Sequence, residues 1–393
     1  MKRAADKLAS LLDHERWAPV WASVLSIVLS MLCAGVILLV MGKDPLTALR
    51  SFLQGSGFLP KASYGGGSGM LTDLFTFLNM LAPMILAALS FIVAFQAGLF
   101  NIGIAGQMLA SGFLAVSLVG YSGLSAVAAK PLVILIGIAA GGALGAFIGF
   151  LKYRFNIHEV VSTIMVNYII NYLTGFFINS YYADPLTRSM KICSSASRLT
   201  WTNVQIGGVR CAVPLGIVLA LAASFLVKFL FDKTVFGFEL RAVGMNQKCA
   251  RYAGISVGSR VVAAMVLSGV LAGLAGVTYY CGYYNTIVPK TLPDLGYDAI
   301  AVALLGNASP IGSVFAGILI SILQTGANYM SSTLGVAKEI ASLITGILLL
   351  FSACGGYFRY LAHRRMERLR DEAGSPAPPD APGSGKEGAA HAG

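Results

Sequence analysis

The chain has 393 residues, 56% of them hydrophobic and 11% charged, with a mean hydropathy of +0.74. Such a composition excludes an ordinary soluble domain and indicates a polytopic, all-α membrane protein. The net charge of +11 is read as an orientation signal and not as a nucleic-acid surface, because basic residues in membrane proteins set topology.

The amino segment 1–21 is charged and precedes an apolar run from Ala22 to Met41. That run is long enough to span and lacks a cleavage site, so a first transmembrane helix is expected and not a signal peptide. Further runs of helical length occur at Leu74–Ala97, Ile102–Val119, Leu132–Leu151, Val160–Tyr182 and Val213–Phe231. After a charged segment they resume at Val261–Tyr280, Ser313–Met330 and Ala337–Ala353. Between these, Leu295–Gly306 is too short for a straight span, since about a dozen residues at ~1.5 Å rise cover ~18 Å against ~30 Å of hydrocarbon. Counted as a broken eighth segment, it gives about ten membrane segments over a permease domain at 22–354, with both termini cytoplasmic. Most of the 28 Lys and Arg then lie inside, as the positive-inside rule requires. The tail 355–393 is basic at first, and from Gly374 onward its Gly, Pro and Ala content predicts disorder.

Two patterns concern packing and passage. Gly137, Gly141, Gly145 and Gly149 recur every four residues, a smooth ridge where another backbone can approach, and Gly269 and Gly273 repeat the theme with Gly276 close by. Thr163, Asn167, Asn171 and Thr174 form one polar stripe, and Ser321, Gln324, Asn328 and Ser331 form another. Each stripe reads either as the lining of a substrate path or as interhelical hydrogen-bonding glue. Together they favour a pore for a neutral, hydrogen-bonding solute, with Gln107 of the third span as a further candidate. The carboxylates at membrane depth, Glu159 and Asp298, stand at span ends, which disfavours an ion-coupled carrier. Glu159 also reads as a residue at the favourable dipole end of a helix.

The segment Thr234–Arg260 is charged, glycine-punctuated and set between apolar runs, so it belongs outside the bilayer. The chain carries no GxxxxGK[ST] string and no assembly of nucleophile, base and orienter. It is therefore expected to be neither an ATPase nor another enzyme, and any ATP must be used by a partner. Single, scattered cysteines argue against a metal site. Cys193 and Cys211 share the outer loop and could form a disulfide there.

Four motifs lie in order along the chain: FNIGIAGQMLASG from Phe100, NIHEVVSTIMVNYI from Asn156, GFELRAVGMNQKCARYAGI from Gly237 and DAIAVALLGNASPIG from Asp298. Together they resemble the permease subunits of bacterial ABC importers in the branched-chain amino acid and simple-sugar superfamily. The NIGIAGQ and HEVVSTIMVNY forms resemble the nucleoside-type branch, served by basic-membrane-protein lipoproteins. The resemblance implies a type II importer-like fold in the bacterial inner membrane, without a cofactor of its own. Its partners would be an ABC ATPase with two nucleotide-binding halves, a second related permease chain and an external lipoprotein. Within 232–260, Asn246–Tyr252 would be a coupling helix bounded by turns at Gly244 and Gly254. Arg241, Asn246, Lys248, Arg251 and Tyr252 would transmit the ATPase stroke. The solute implied is a nucleoside or related ribosylated compound, with a sugar, riboflavin-like vitamin or amino acid as alternatives.

Overall fold

The computed structural model describes residues 18–61, 69–191, 193–206, 209–335, 339–354, 357 and 360–366. The charged start of the chain and the Gly- and Pro-rich tail lie outside these residues. The apolar runs singled out above are helical over their described residues, save that Val213–Phe231 opens in a strand and becomes helical from Gly216, because a helix satisfies its own backbone in an apolar layer.

In chain order the helices are α1 (Ala18–Val40), α2 (Pro45–Gly55), α3 (Met70–Gln96), α4 (Ile104–Ala115), α5 (Ala126–Phe155) and α6 (Glu159–Phe177). An antiparallel hairpin, β1 (Thr200–Ile206) and β2 (Val209–Pro214), follows. Then come α7 (Gly216–Lys233), α8 (Val235–Met245), α9 (Gln247–Tyr252), α10 (Val257–Thr278), α11 (Leu295–Leu305), α12 (Pro310–Leu334) and α13 (Glu339–Ala353). Wider π-helical turns extend α4 to Gly120, α6 to Tyr182 and α10 to Tyr283. Among the described residues, five helices are long and apolar enough to cross a membrane: α3, α5, the extended α6, the extended α10 and α12. The pair α1 and α2, bent by 116°, would make a sixth.

Helix α3 is the central post. In its apolar window 94% of the residues are buried inside the chain, so it meets α7, α10, α11 and α12 instead of lipid. Around it, α5 and α10 close on each other through the glycine ridge. A Cβ on Gly141 would lie 2.1 Å from the Gly269 carbonyl oxygen, and one on Gly145 would lie 2.2 Å from that of Met265. The four-residue spacing thus serves backbone contact, as the sequence predicts.

Helix α2 is an element that hydropathy does not reveal. It starts at Pro45 behind the Asp44 carboxylate, which accepts from Leu46 N and Thr47 N. Its far end is pressed onto α12, where a Cβ on Gly55 would fall 2.6 Å from Gly326 Cα. The hairpin is equally hidden in a long loop, although its Gly207–Gly208 pair between alternating residues is a hairpin signal. Its second strand rests on α3, with Asn79 Nδ2 donating to Ala212 O at 3.3 Å.

Helices α4 and α11 are short, 12 and 11 residues, and their amino ends meet. Gly296 in the first turn of α11 lies so close to Ala105 in the first turn of α4 that a Cβ would stand 2.7 Å from its Cα. From that level they run in opposite directions. The end of α4 reaches the end of α10, with Gly112 against the Tyr280 ring. The end of α11 reaches the end of α3, where Gln96 Nε2 donates to Ala308 O at 3.1 Å. Asn307 and Ala308, both with positive φ, turn the chain into α12, which Ser309 caps and Pro310 opens.

Candidate functional site

The first polar stripe is keyed into the turn that precedes α4. Asn167 on α6 uses both functions of its amide there: Gly106 N donates to Oδ1 at 2.8 Å, and Nδ2 donates to Ile102 O at 3.0 Å. The glycine at 106 is required by this approach, because a Cβ would stand 2.6 Å from Asn167 Oδ1. One turn earlier, Thr163 is buried against Gly103 and returns its hydroxyl to Val160 O. One turn later, Asn171 is half-buried and its Oδ1 has no hydrogen-bond partner. The two motifs NIGIAGQ and HEVVSTIMVNY are therefore halves of one interlocking joint.

Behind the joint lies a polar knot. Asn101 Nδ2 donates to Gln107 Oε1 at 3.1 Å and to Ser268 Oγ at 2.8 Å, while its Oδ1 accepts from Gly103 N. Ser90 on α3 and Ser268 on α10 each donate to the other's carbonyl at 2.7 Å. Gln107 is wholly buried and its Nε2 has no partner. Three helices and a turn thus meet through buried hydrogen bonds, an arrangement that fixes geometry when satisfied.

In the second stripe Gln324 Nε2 donates to the Asp298 carboxylate, joining α12 to the first turn of α11. Its Oε1 has no partner, nor has the hydroxyl of the fully buried Ser321. Asn328, one turn further, is exposed. Both stripes thus reach the amino ends of the short helices, the first at Gly106 of α4 and the second at Asp298 of α11. Tyr297 on α11 stands beside Asn167 and Tyr168, and both tyrosines keep exposed surface. Sequence reading passes over these aromatics because a tyrosine on an apolar helix carries no periodic signal.

The charged segment forms two helices, with the break at Asn246. Thr234 caps α8, accepting from Gly237 N, and Asn246 Oδ1 caps α9, accepting from Lys248 N at 2.9 Å and Cys249 N at 3.1 Å. The turn expected at Gly244 is absent: Gly244 is helical, and its missing side chain lets α8 touch the end of α3. Gly254, with φ of +81°, does make the expected turn after α9. Arg241 is half-buried and donates to Phe231 O at 2.7 Å, tying α8 to α7. Arg260 pairs with Glu239 at 2.6 Å and covers the Phe236 ring. By contrast Lys248, Arg251 and Tyr252 are exposed, Tyr252 at 94%, while Ala250 is buried beneath them. A short helix is thus presented outward on a rigid base. Glu159, at the start of α6 as expected, is held by Lys152 Nζ at 2.8 Å.

A family model described as branched-chain amino acid transport system / permease component matches residues 74–353. The chain belongs to that family. Membership makes it a membrane transport component and not an enzyme. This permease is similar to the nucleoside ABC transporter permease protein NupB of Lactococcus lactis subsp. cremoris (strain MG1363), 34% identical over 342 residues that cover 84% of this chain and 89% of that one. It is likewise similar to the guanosine ABC transporter permease protein NupP of Bacillus subtilis (strain 168), 36% identical over 341 residues, 86% and 94% of the two chains. Among solved structures, an ABC transporter in an inward-facing conformation is similar with a TM-score of 0.46 at 15% identity, over 80% of this chain and 96% of that one.

Cys193, Cys211 and Cys281 are all thiols in this structure, none of them in a disulfide. Cys211 lies on β2 opposite Val204, and the buried Cys193 makes its side-chain hydrogen bond to Cys281. Loop membership suggested the wrong neighbour, because the loop folds back on the end of α10.

Proposed function

We propose that this permease is the transmembrane subunit of an ATP-driven ABC importer that carries nucleosides or related ribosylated solutes into the cell. The observation that carries this reading is the similarity, at 34% and 36% identity over most of both chains, to permeases of nucleosides and of guanosine. The chemistry of the candidate path agrees with it. Asn171, Gln324 and Asn328 offer uncharged amides to a ribose or base, whereas Thr163, Asn167 and Gln107 hold the helices that carry them. Tyr168 and Tyr297 offer aromatic faces on which a planar base can stack.

In this reading the chain has about ten membrane segments, with α11 as a broken eighth, and both termini lie in the cytoplasm. The segment from α7 to α10 then faces an ABC ATPase with two nucleotide-binding halves. A second, related permease chain completes the pore, and an external lipoprotein delivers the solute. Lys248, Arg251 and Tyr252 contact the ATPase, and Asn246 ends α8 and starts α9, so that the pair moves as one lever. Arg241 anchors the lever to α7. Because α8 touches α3, a push on α9 reaches the central post without crossing a flexible loop.

The test is reconstitution with the cognate ATPase, second permease and lipoprotein, followed by a screen of solutes for stimulated ATP hydrolysis. Nucleosides should stimulate hydrolysis and be taken up. Stimulation by sugars or amino acids alone would refute the solute class. Uptake by the chain alone, driven by a proton or sodium gradient, would refute the machine.

A further inference from the structure

The segment 183–214 is stitched to the ends of the helices beside it. Met190 N donates to Ile287 O, Ser194 N to Gly120 O and Leu199 N to Cys281 O, each at 2.8 Å. Cys193 N donates to Asn285 O at 3.4 Å, and Tyr121 Oη donates to Lys191 O at 2.7 Å. These bonds lay Cys193 against the last turn of α10, where its side chain hydrogen-bonds that of Cys281. Both thiols are buried, Cys281 completely. Ser197 and Arg198 close around Cys193 from its own loop.

We propose that Cys193 and Cys281 are joined by a disulfide once the chain is inserted, which pins the segment 183–214 to the end of α10. The proposal rests on the orientation proposed above, in which that segment faces the oxidising side of the membrane. The two sulfurs come from residues far apart in sequence, so the bond would fix a tertiary contact and not merely a loop.

The hydrogen bond with Cys281, aided by Ser197 and by the Arg198 guanidinium, lowers the Cys193 thiol from its ordinary range. Exchange takes place before the segment closes, while Cys193 on the loop is still open to the carrier, so Cys193 Sγ is the attacking sulfur. The oxidant is the disulfide of an extracytoplasmic dithiol–disulfide exchange protein. Cys193 Sγ attacks one of its sulfurs, forming a mixed disulfide and releasing the other as a thiolate. Cys281 then gives up its proton and attacks Cys193 Sγ, displacing the second carrier thiolate. Two thiols of the permease are oxidised to one disulfide, the carrier disulfide is reduced to a dithiol, and the two protons end on the carrier. Buried in the folded chain, the product is shielded from small reductants.

The test uses the full chain, isolated from membranes without reductant and alkylated in denaturant. Every cysteine except Cys193 and Cys281 should be alkylated, and digestion should release a peptide pair joined through those two that reductant separates. Cys211→Ser should leave the cross-link in place, and Cys281→Ser should expose Cys193 to alkylation. Leu186→Cys, on the same segment and 93% exposed, reports the side of the membrane by labelling with an impermeant maleimide in intact cells. A labelled Leu186→Cys together with alkylated Cys193 and Cys281, or a link from Cys193 to Cys211, would overturn the disulfide and leave the orientation standing. An unlabelled Leu186→Cys would remove the orientation and with it the oxidant.

Discussion

Gly244→Ala should loosen the charged segment from the central post. The added Cβ would stand 2.2 Å from the Gln96 carbonyl oxygen and 2.9 Å from Gly98 N. Ordinary contact begins near 3.4 Å, so α8 must retreat from the end of α3 by about 1.2 Å, and overpacking of this kind typically costs ~1–3 kcal/mol. Both partners are backbone atoms, so no rotamer change relieves the clash. Each ~1.4 kcal/mol is a factor of ten in an equilibrium, so the coupled arrangement should be depleted by roughly five- to 150-fold. In proteoliposomes holding the full complex, ATP hydrolysis should persist while solute uptake falls at least several-fold, and the permease should melt a few degrees lower. The comparison is Gly254→Ala, beyond the end of α9, where a Cβ meets nothing within 4 Å and only the left-handed backbone resists. That change should cost ~1–2 kcal/mol, and Gly254→Asn should cost less, because asparagine visits the left-handed region more readily. Unchanged uptake and melting in Gly244→Ala would refute the claim that α8 works through its contact with α3.

Arg251→Glu changes an exposed side chain that makes no hydrogen bond or ion pair among the described residues, so melting should stay within ~0.5 kcal/mol of the parent. Docking of the ATPase and ATP-dependent uptake should both fall about tenfold or more, since a like-charge contact costs several kcal/mol; intact docking would remove the coupling role of α9. Asn167→Ala should destabilise by ~1–3 kcal/mol, because Gly106 N and Ile102 O are left unpaired in a buried joint, as read by thermal melting in detergent. Asn328→Ala should leave melting unchanged yet raise the solute concentration for half-maximal uptake; if transport kinetics do not move, Asn328 does not line the path. Gly141→Leu places a branched side chain against the Gly269 carbonyl and should abolish the folded permease, as judged by yield and by a monodisperse elution profile.

Much of this architecture was legible because it is local. A long apolar run can form a helix from its own backbone, and each described run between Ala22 and Ala353 did so, Val213–Phe231 from Gly216 onward. The spacing of Gly137 to Gly149 announced a close backbone contact, and the charges from Thr234 to Arg260 marked a break between long helices, where the chain folds as the short α8 and α9. Asn246 was placed correctly at the start of a short helix, since an Asn cap depends only on the next three residues. Where the reading went astray, the missing information lay far along the chain. Gly244 looked like a turn residue, and its reason is Gln96. Cys193 and Cys211 share a loop, and the thiol beside Cys193 is Cys281. The two polar stripes could not be divided into bonded and unbonded residues from their periodicity, because Asn167 and Asn171 stand on adjacent turns of one face and differ only in what α4 brings to them.

By itself the sequence determined that this protein is a helical membrane protein with a charged segment set between apolar runs, because hydropathy, charge and helical spacing act over a single element. Only the tertiary structure decided that α4 and α11 begin at the same level, that Asn167 is used up in a joint while Asn171 and Gln324 keep free acceptors, and that α8 rests on the central post. Those outcomes depend on which helices meet, and the close approaches that select the neighbours join residues separated by most of the chain.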